Sequence, residues 1–371
     1  MKRLFLALPL MIIVATLTSC GGNVPLEDLT ISLILGIDLD DDNNLIISES
    51  SPVFNKESKK NTETYQVKAK SIRESRKYFD VKATGEVTAA KIQILLIGKR
   101  VLKHEGWFSL LDTVYRNPTF SLNTRVIVVD GPVSDVIYFE PDNKPQLPLY
   151  LKEVIDKNID RTQTIMTTLQ VLHRQMYEKG MTPSISEIKK EKDLELVGVS
   201  LLDKKGKIVD TLSIQESALL IVLQDQKKKE LTYSLELPAL EDEMEVFNTK
   251  EVSIDVRRVQ SNVKTKYAQG KFHFHYKINL GVNIVERLFP KDSVKDEELE
   301  KMIEKELKSK FEEVIKKVQD HKIDPIGLGI YARAYEYEHY KKVQDDWGKA
   351  LSEANIDMDL NIEIKSMGAT K

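Results

Sequence analysis

The sequence predicts a mixed fold, α/β in its first half and α+β in its second, built as two to three domains of mixed β-sheet packed with helices. Three observations carry this expectation. Between residues 29 and 190, short β-branched runs alternate with helical stretches, as in an α/β unit. From Phe272 to Ile284, apolar residues take every second position, the period of a strand with one buried face. From Leu299 to Val318, apolar residues recur at three and four, the period of an amphipathic helix. With 371 residues, 41% of them hydrophobic, the chain can fill more than one core.

In the first half, Leu29–Leu39 and Leu45–Phe54 are apolar runs joined by the turn cluster Asp40–Asn44, which reads as a hairpin. Ser71–Lys82 reads as a helix, and Ala90–Ile97 as a buried strand. Helical stretches from Lys99 to Glu105 and from Ser109 to Tyr115 end at Asn117-Pro118. Arg125–Val129 is a strand, and Asp130-Gly131-Pro132 is a turn that opens a short helix. Pro141, Pro145 and Pro148 mark a surface loop before a mainly helical stretch, clearest from Thr164 to Lys179 and stopped by Gly180. The polar segment Thr182–Asp193 reads as the boundary between domains.

Beyond it, Leu194–Leu202 and Ile208–Leu212 flank Asp203–Lys207 as a second hairpin. Val252, Ile254 and Val256 alternate in a strand that Gln269-Gly270 links to the Phe272–Ile284 strand, so the pair is expected to be antiparallel. The Leu299–Val318 helix follows. Asp324-Pro325 then supplies a cap and a first-turn proline for the next helix. Ile356, Met358, Leu360, Ile362 and Ile364 close the chain in a last alternating strand. The expected organisation is residues 1–19 as a signal peptide, 20–28 as a tether, 29–190 as an N-terminal α/β domain and 194–371 as a C-terminal α+β region. If there are three domains, the further division falls near 240.

Charged residues make up 30%, but 55 bases nearly cancel 58 acids, and the net charge of −3 offers no footprint for nucleic acid. Lys2 and Arg3 precede an apolar run from Leu4 to Leu17 that is too short to span a bilayer. Leu17-Thr18-Ser19-Cys20 resembles the lipobox of bacterial prolipoproteins. That resemblance implies cleavage before Cys20 and a diacylglyceryl thioether on its sulfur. Cys20 is the only cysteine, so no internal disulfide can form. Two acyl chains anchor firmly where one gives only marginal binding.

Candidate chemistry is sparse. Asp38, Asp40, Asp42, Asn44 and Glu49 match positions 1, 3, 5, 7 and 12 of a calcium loop, but Asn43 replaces its glycine and the flanks read as strands. A solvated hairpin turn accounts for the same residues. His273 and His275 share one strand face without an evident third metal ligand. His104, His173, His321 and His339 lie in polar or helical settings with no nucleophile elbow nearby. Gly327-Leu328-Gly329 lacks the third glycine of a dinucleotide loop. Tyr331, Tyr335, Tyr337, Tyr340 and Trp347 crowd one helical region, where core packing is preferred over a binding face. Lys227-Lys228-Lys229 reads as a solvated loop that could also touch anionic lipid headgroups. No cofactor or metal site is expected and no catalytic residue is assigned, so the expectation is a protein that is not an enzyme.

Four segments taken in order resemble one family, the Ger(x)C lipoproteins, which are the C subunits of bacterial spore germinant receptors. They are the lipobox followed by Leu33-Ile34-Leu35-Gly36-Ile37-Asp38; Ala90 to Gly98 with Leu111-Asp112, Arg116 and Arg125; Leu196-Val197-Gly198-Val199 through Gln215-Glu216; and Asp324-Pro325-Ile326-Gly327-Leu328-Gly329. The chain departs from the pattern at Gly21-Gly22, where the family often has Trp, and at Lys91, where it often has His. The resemblance implies a non-enzymatic subunit of α/β domains joined end to end. It would be lipid-anchored at the outer face of the spore inner membrane beside integral membrane A and B subunits. The alternative is a solute-binding lipoprotein delivering a small molecule to a membrane transporter, which would need two similar lobes. The two halves of this sequence do not repeat each other. A lipid-anchored hydrolase would need convergent polar residues that the sequence does not offer.

Overall fold

The computed structural model describes residues 29–53, 60, 62–83, 85–140, 143–237, 250–289 and 294–367. Cys20, its lipobox and the tether lie outside the described residues, as do Phe54, Pro141 and the division expected near 240. The expected mixed α+β class is borne out.

Strands β1 (Leu29–Ile31), β2 (Ile34–Leu39), β3 (Leu45–Pro52), β4 (Thr62–Lys68), β5 (Glu86–Thr88), β6 (Ile94–Gly98), β7 (Arg125–Asp130), β8 (Ser184–Lys190), β9 (Leu194–Leu202) and β10 (Ile208–Ser213) belong to the first two-thirds of the chain. Eight of them form one sheet in the order β10-β9-β8-β7-β6-β2-β3-β4. Its centre, β2, β6, β7 and β8, is parallel, and an antiparallel hairpin extends each end. The run expected as one strand from Leu29 to Leu39 is thus two, and β1 pairs in parallel with β5 instead.

Both faces of the parallel centre are covered, so its strands are apolar at almost every position. One face packs Leu35, Ile37, Leu95, Ile97, Val126 and Val128 against Phe79 of α1 (Ile72–Lys82), Trp107, Leu111, Val114 of α2 (Asp112–Arg116), and Leu169 and Leu172. The other packs Ile34, Ile94, Leu96, Ile127 and Val129 against α3 (Val133–Ile137) and α4 (Leu147–Asp160). Ser71 caps α1 by accepting the Glu74 amide. The helix expected over Lys99–Glu105 shrinks to a 3-10 turn at Val101–Lys103, and the next begins as a 3-10 segment at Trp107–Leu111.

One expectation is overturned here. The helix expected from Thr164 starts only at Leu169, as α5 (Leu169–Tyr177). Thr168 caps it, while Thr167 and Thr168 lie extended beside β7, with the Val126 amide donating to Thr167 O at 2.9 Å. The polar segment Thr182–Asp193 contains β8, the strand through which the β9–β10 hairpin joins the first sheet. Its polar residues are buried because each finds partners. Ser186 Oγ donates to Ile165 O at 2.7 Å, and Glu187 accepts from Lys99, Ser200 and Thr211.

The second sheet, in the order β11-β12-β13-β14, comprises β11 (Thr232–Glu236), β12 (Glu251–Ala268), β13 (Lys271–Arg287) and β14 (Asn355–Ser366). As expected, Gln269 and Gly270, both at positive φ, turn β12 into an antiparallel β13; β14 runs parallel to β13. Helix α7 (Asp296–Asp320) lays Leu299, Ile303, Leu307, Phe311, Val314, Ile315 and Val318 on the sheet core. Each such buried side chain contributes roughly 1.5–3 kcal/mol of transfer free energy. Between the two sheets lies α6 (Ile214–Leu223), buried from Ser217 to Leu223. A helix apolar all round has neighbours on every side, and α6 packs against β9, β10 and α7. The short helices α8 (Leu328–Tyr335), α9 (Tyr337–Val343) and α10 (Trp347–Ser352) complete the second core.

Candidate functional site

The motif residues converge on two places. The first is the carboxyl end of the parallel strands, where open α/β sheets usually bind ligands. Here the chain fills that position with its own groups. Asp38 Oδ2 accepts the Val133 amide at 2.8 Å, at the start of α3, and Arg100 Nε lies 3.1 Å from Asp38 Oδ1. Burial pushes the Asp38 carboxyl above its ordinary value, against the pull of the Val133 and Leu39 amides and of Arg100. A β-carbon on Gly98 would collide with the Asp38 carboxylate, so the glycine is dictated by close approach. Beside it, Lys99 Nζ bridges the fully buried Glu187 at 2.7 Å and Asp130 at 3.6 Å.

The second place is a seam between the chain that enters β8 and the loop before α8. Asp324 is fully buried. Its Oδ1 accepts the amides of Gly327 at 2.7 Å and Leu328 at 3.0 Å; its Oδ2 accepts Gly329 N at 2.8 Å and Trp347 Nε1 at 2.7 Å. Four donors and no acceptor fit an ionised carboxylate, although burial pushes its pKa upward. Its backbone pairs reciprocally with Thr182: Thr182 N donates to Asp324 O at 2.8 Å, and Asp324 N to Thr182 Oγ1 at 3.0 Å. Gly180 and Gly329 touch backbone to backbone, and a β-carbon on Gly329 would lie 2.5 Å from Gly180 Cα. Ion pairs close the rim: Arg333 on Glu178 at 2.7 Å and Lys179 on Asp345 at 2.7 Å. The Gly180 amide and Arg333 hold the Glu178 carboxyl below its ordinary value, although burial pulls the other way.

Asp324 does act as a cap, but across a turn. The residue before α8 is Gly327 at φ +90°, so Pro325 is not in the first helical turn as expected. Gly180 likewise follows a helix that has already ended at Tyr177, and its requirement is contact with Gly329.

The calcium spacing does not make a site. Asp40 ties the hairpin turn by accepting from Asp42 N and Asn44 N, and Lys68 pairs with it at 2.5 Å. In register, Asp38 pairs with Ile46 and Glu49 with Leu35, which puts the two carboxylates on opposite sheet faces. Glu49 is instead buried beside Ser32, which donates to it, and burial raises its pKa to about 7. His275 sits between Asp357 at 2.5 Å and Asp359 at 3.2 Å, and His273 contacts Ala268 O and Asn355. The aromatic cluster divides: Tyr340 and Trp347 are core, whereas Tyr335 and Tyr337 are exposed. Of the three lysines, Lys229 pairs with Asp160 at 2.6 Å. Glu187, Lys99 and Thr182 were not singled out for a role in the sequence; Gly180, read as a helix stop, and the Asp324 to Gly329 motif were the available signals for the seam.

Comparison with known proteins agrees with this architecture. Residues 22–190 match the family described as spore germination protein N-terminal domain, and residues 197–368 match spore germination B3/GerAC like, C-terminal. Spore germination protein GerQC of Bacillus cereus is 19% identical over 100% of both chains. Spore germination protein KC of Bacillus subtilis (strain 168) is 24% identical over 99% of this chain and 96% of its own. The crystal structure of the GerBC protein superposes with a TM-score of 0.58 at 17% identity, covering 89% of this chain and 96% of that one. The chain therefore belongs to the Ger(x)C family of spore germination proteins.

Proposed function

We propose that the protein is the C subunit of a nutrient germinant receptor, non-enzymatic, tethered by a diacylglyceryl thioether on Cys20 to the outer face of the spore inner membrane. Its partners in this reading are the integral membrane A and B subunits, and the lipid raises its local concentration beside them. One observation carries the reading: the two spore-germination modules follow the lipobox in tandem over nearly the whole mature chain. The modules meet near residues 190–197, which supports two sequence units even though the first sheet continues through β9 and β10. Among the described residues no helix is long and apolar enough to cross a membrane, and in this reading the lipobox provides the attachment. Asp324 and Glu187 each hold several structural hydrogen bonds, a use that favours a scaffold over an acid or base. Sheets of eight and four strands with different topologies speak against the two like lobes of a solute-binding protein.

Deleting the gene, in a strain without a paralogue, should abolish or strongly slow germination in nutrient while leaving germination by non-nutrient agents intact. A normal nutrient response in that strain would overturn the proposal.

A further inference from the structure

Where the two sheets meet, an open cleft of ≈ 200 Å³ lies between the 164–167 segment, α5, the end of α6 and Ile326. That is several times the space one water needs. Ile165, Met166, Met181, Ile221 and Ile326 give it apolar walls. Ser184, fully buried, lines it, and its hydroxyl has no hydrogen-bond partner. Buried hydroxyls are almost always paired, so an orphan lining a cleft points to a group that binds there.

The mouth is positive. Arg174 and Lys228 line it, both exposed, and neither has a carboxylate partner among the described residues. Of the nearby acids, Asp160 is engaged by Lys229, Glu230 by Arg161 and Glu178 by Arg333, which leaves Asp225, between the lining residues Gln224 and Gln226, against the two cations. Two cations without a carboxylate partner among the described residues, over a cleft of mixed apolar and polar lining with an unpaired hydroxyl inside, describe one ligand chemistry.

We infer that this cleft binds a small organic anion: a carboxylate held by Arg174 and Lys228, an apolar body of a few carbons against the walls, and a second polar atom that pairs with Ser184. Residues from both sides of the junction form the walls, Met181 before β8 and Ile221 on α6, with Ile326 two residues after Asp324. Occupancy would therefore brace the seam. The inference concerns the isolated chain and does not depend on its role in germination.

The test titrates 6-hydroxyhexanoate into the full mature chain in lipid nanodiscs, read by the methyl resonances of Met and Ile. Saturable shifts of Met166, Met181, Ile165 and Ile326 are expected, with 1,6-hexanediol giving none. The double variant Arg174→Gln, Lys228→Gln should weaken binding about tenfold or more, since charge-assisted hydrogen bonds are lost. Ser184→Ala should weaken 6-hydroxyhexanoate more than hexanoate. Circular dichroism checks that each variant is folded; Arg174 and Lys228 are exposed, so that pair should fold whatever Ser184→Ala does. No saturable shift at these methyls, an equal response to the diol, or unchanged affinity in the folded double variant would overturn the inference.

Discussion

Replacing Asp324 by Asn leaves side-chain volume nearly unchanged but turns one acceptor oxygen into an NH2 group. Each carboxylate oxygen now serves two donors, Oδ1 the amides of Gly327 and Leu328, Oδ2 those of Gly329 and Trp347. Whichever way the amide is oriented, two buried N–H groups lose their acceptor and face another donor. A buried donor left unsatisfied costs about 1–3 kcal/mol, so the loss lies between about 2 and 6 kcal/mol. Part is recovered, because the variant no longer buries a charge, and burial already raises the Asp324 pKa. The expected net is therefore near the lower end, about 2–3 kcal/mol, out of a total stability of about 5–15 kcal/mol for an ordinary domain. Urea unfolding measures it, followed by far-UV circular dichroism and tryptophan fluorescence. Only Trp107 and Trp347 report, and only Trp347 touches Asp324. A midpoint loss worth less than about 1 kcal/mol, with Trp347 emission unchanged, would show that the amides are satisfied elsewhere and refute the reasoning.

The remaining expectations concern other parts of the chain. Glu49 has a folded pKa of about 7 against an ordinary 4.5, so the folded state keeps its proton after the unfolded state has lost it. Its contribution is complete below about pH 4.5 and is lost as pH rises through 7, on the order of 3 kcal/mol in all. Thermal melts should show the native chain falling relative to Glu49→Gln across that window, and parallel curves would contradict the assignment. Gly329→Ala places a β-carbon 2.5 Å from Gly180 Cα, a backbone atom that can yield only by opening the seam. It should cost about 1–3 kcal/mol or more, and an unchanged melting temperature would mean that the contact is loose. Cys20→Ala should move the protein from the membrane fraction to the soluble fraction; retention in the membrane would remove the lipid anchor from the proposed function.

Much of the architecture was legible along the chain. The β12–β13 hairpin, helix α7 and strand β14 could be read because their periods of two and 3.6 persist over many residues, and because Gln269-Gly270 is local turn chemistry. The Asp324 to Gly329 motif was visible as a string, but its purpose was not. What makes it necessary is Thr182, 142 positions away, together with Gly180 and Trp347. Strand β8 shows the same limit. Ser184, Ser186 and Glu187 read only as part of a polar segment between domains, since hydropathy counts the side chain and not its partners. Lys99, Ser200 and Thr211 let Glu187 stay buried, and they come from three other parts of the chain. The sequence by itself determined where the long periodic elements form, because that signal is local. Only the tertiary structure decided which polar groups are buried, because that depends on hydrogen-bond partners that folding brings from afar.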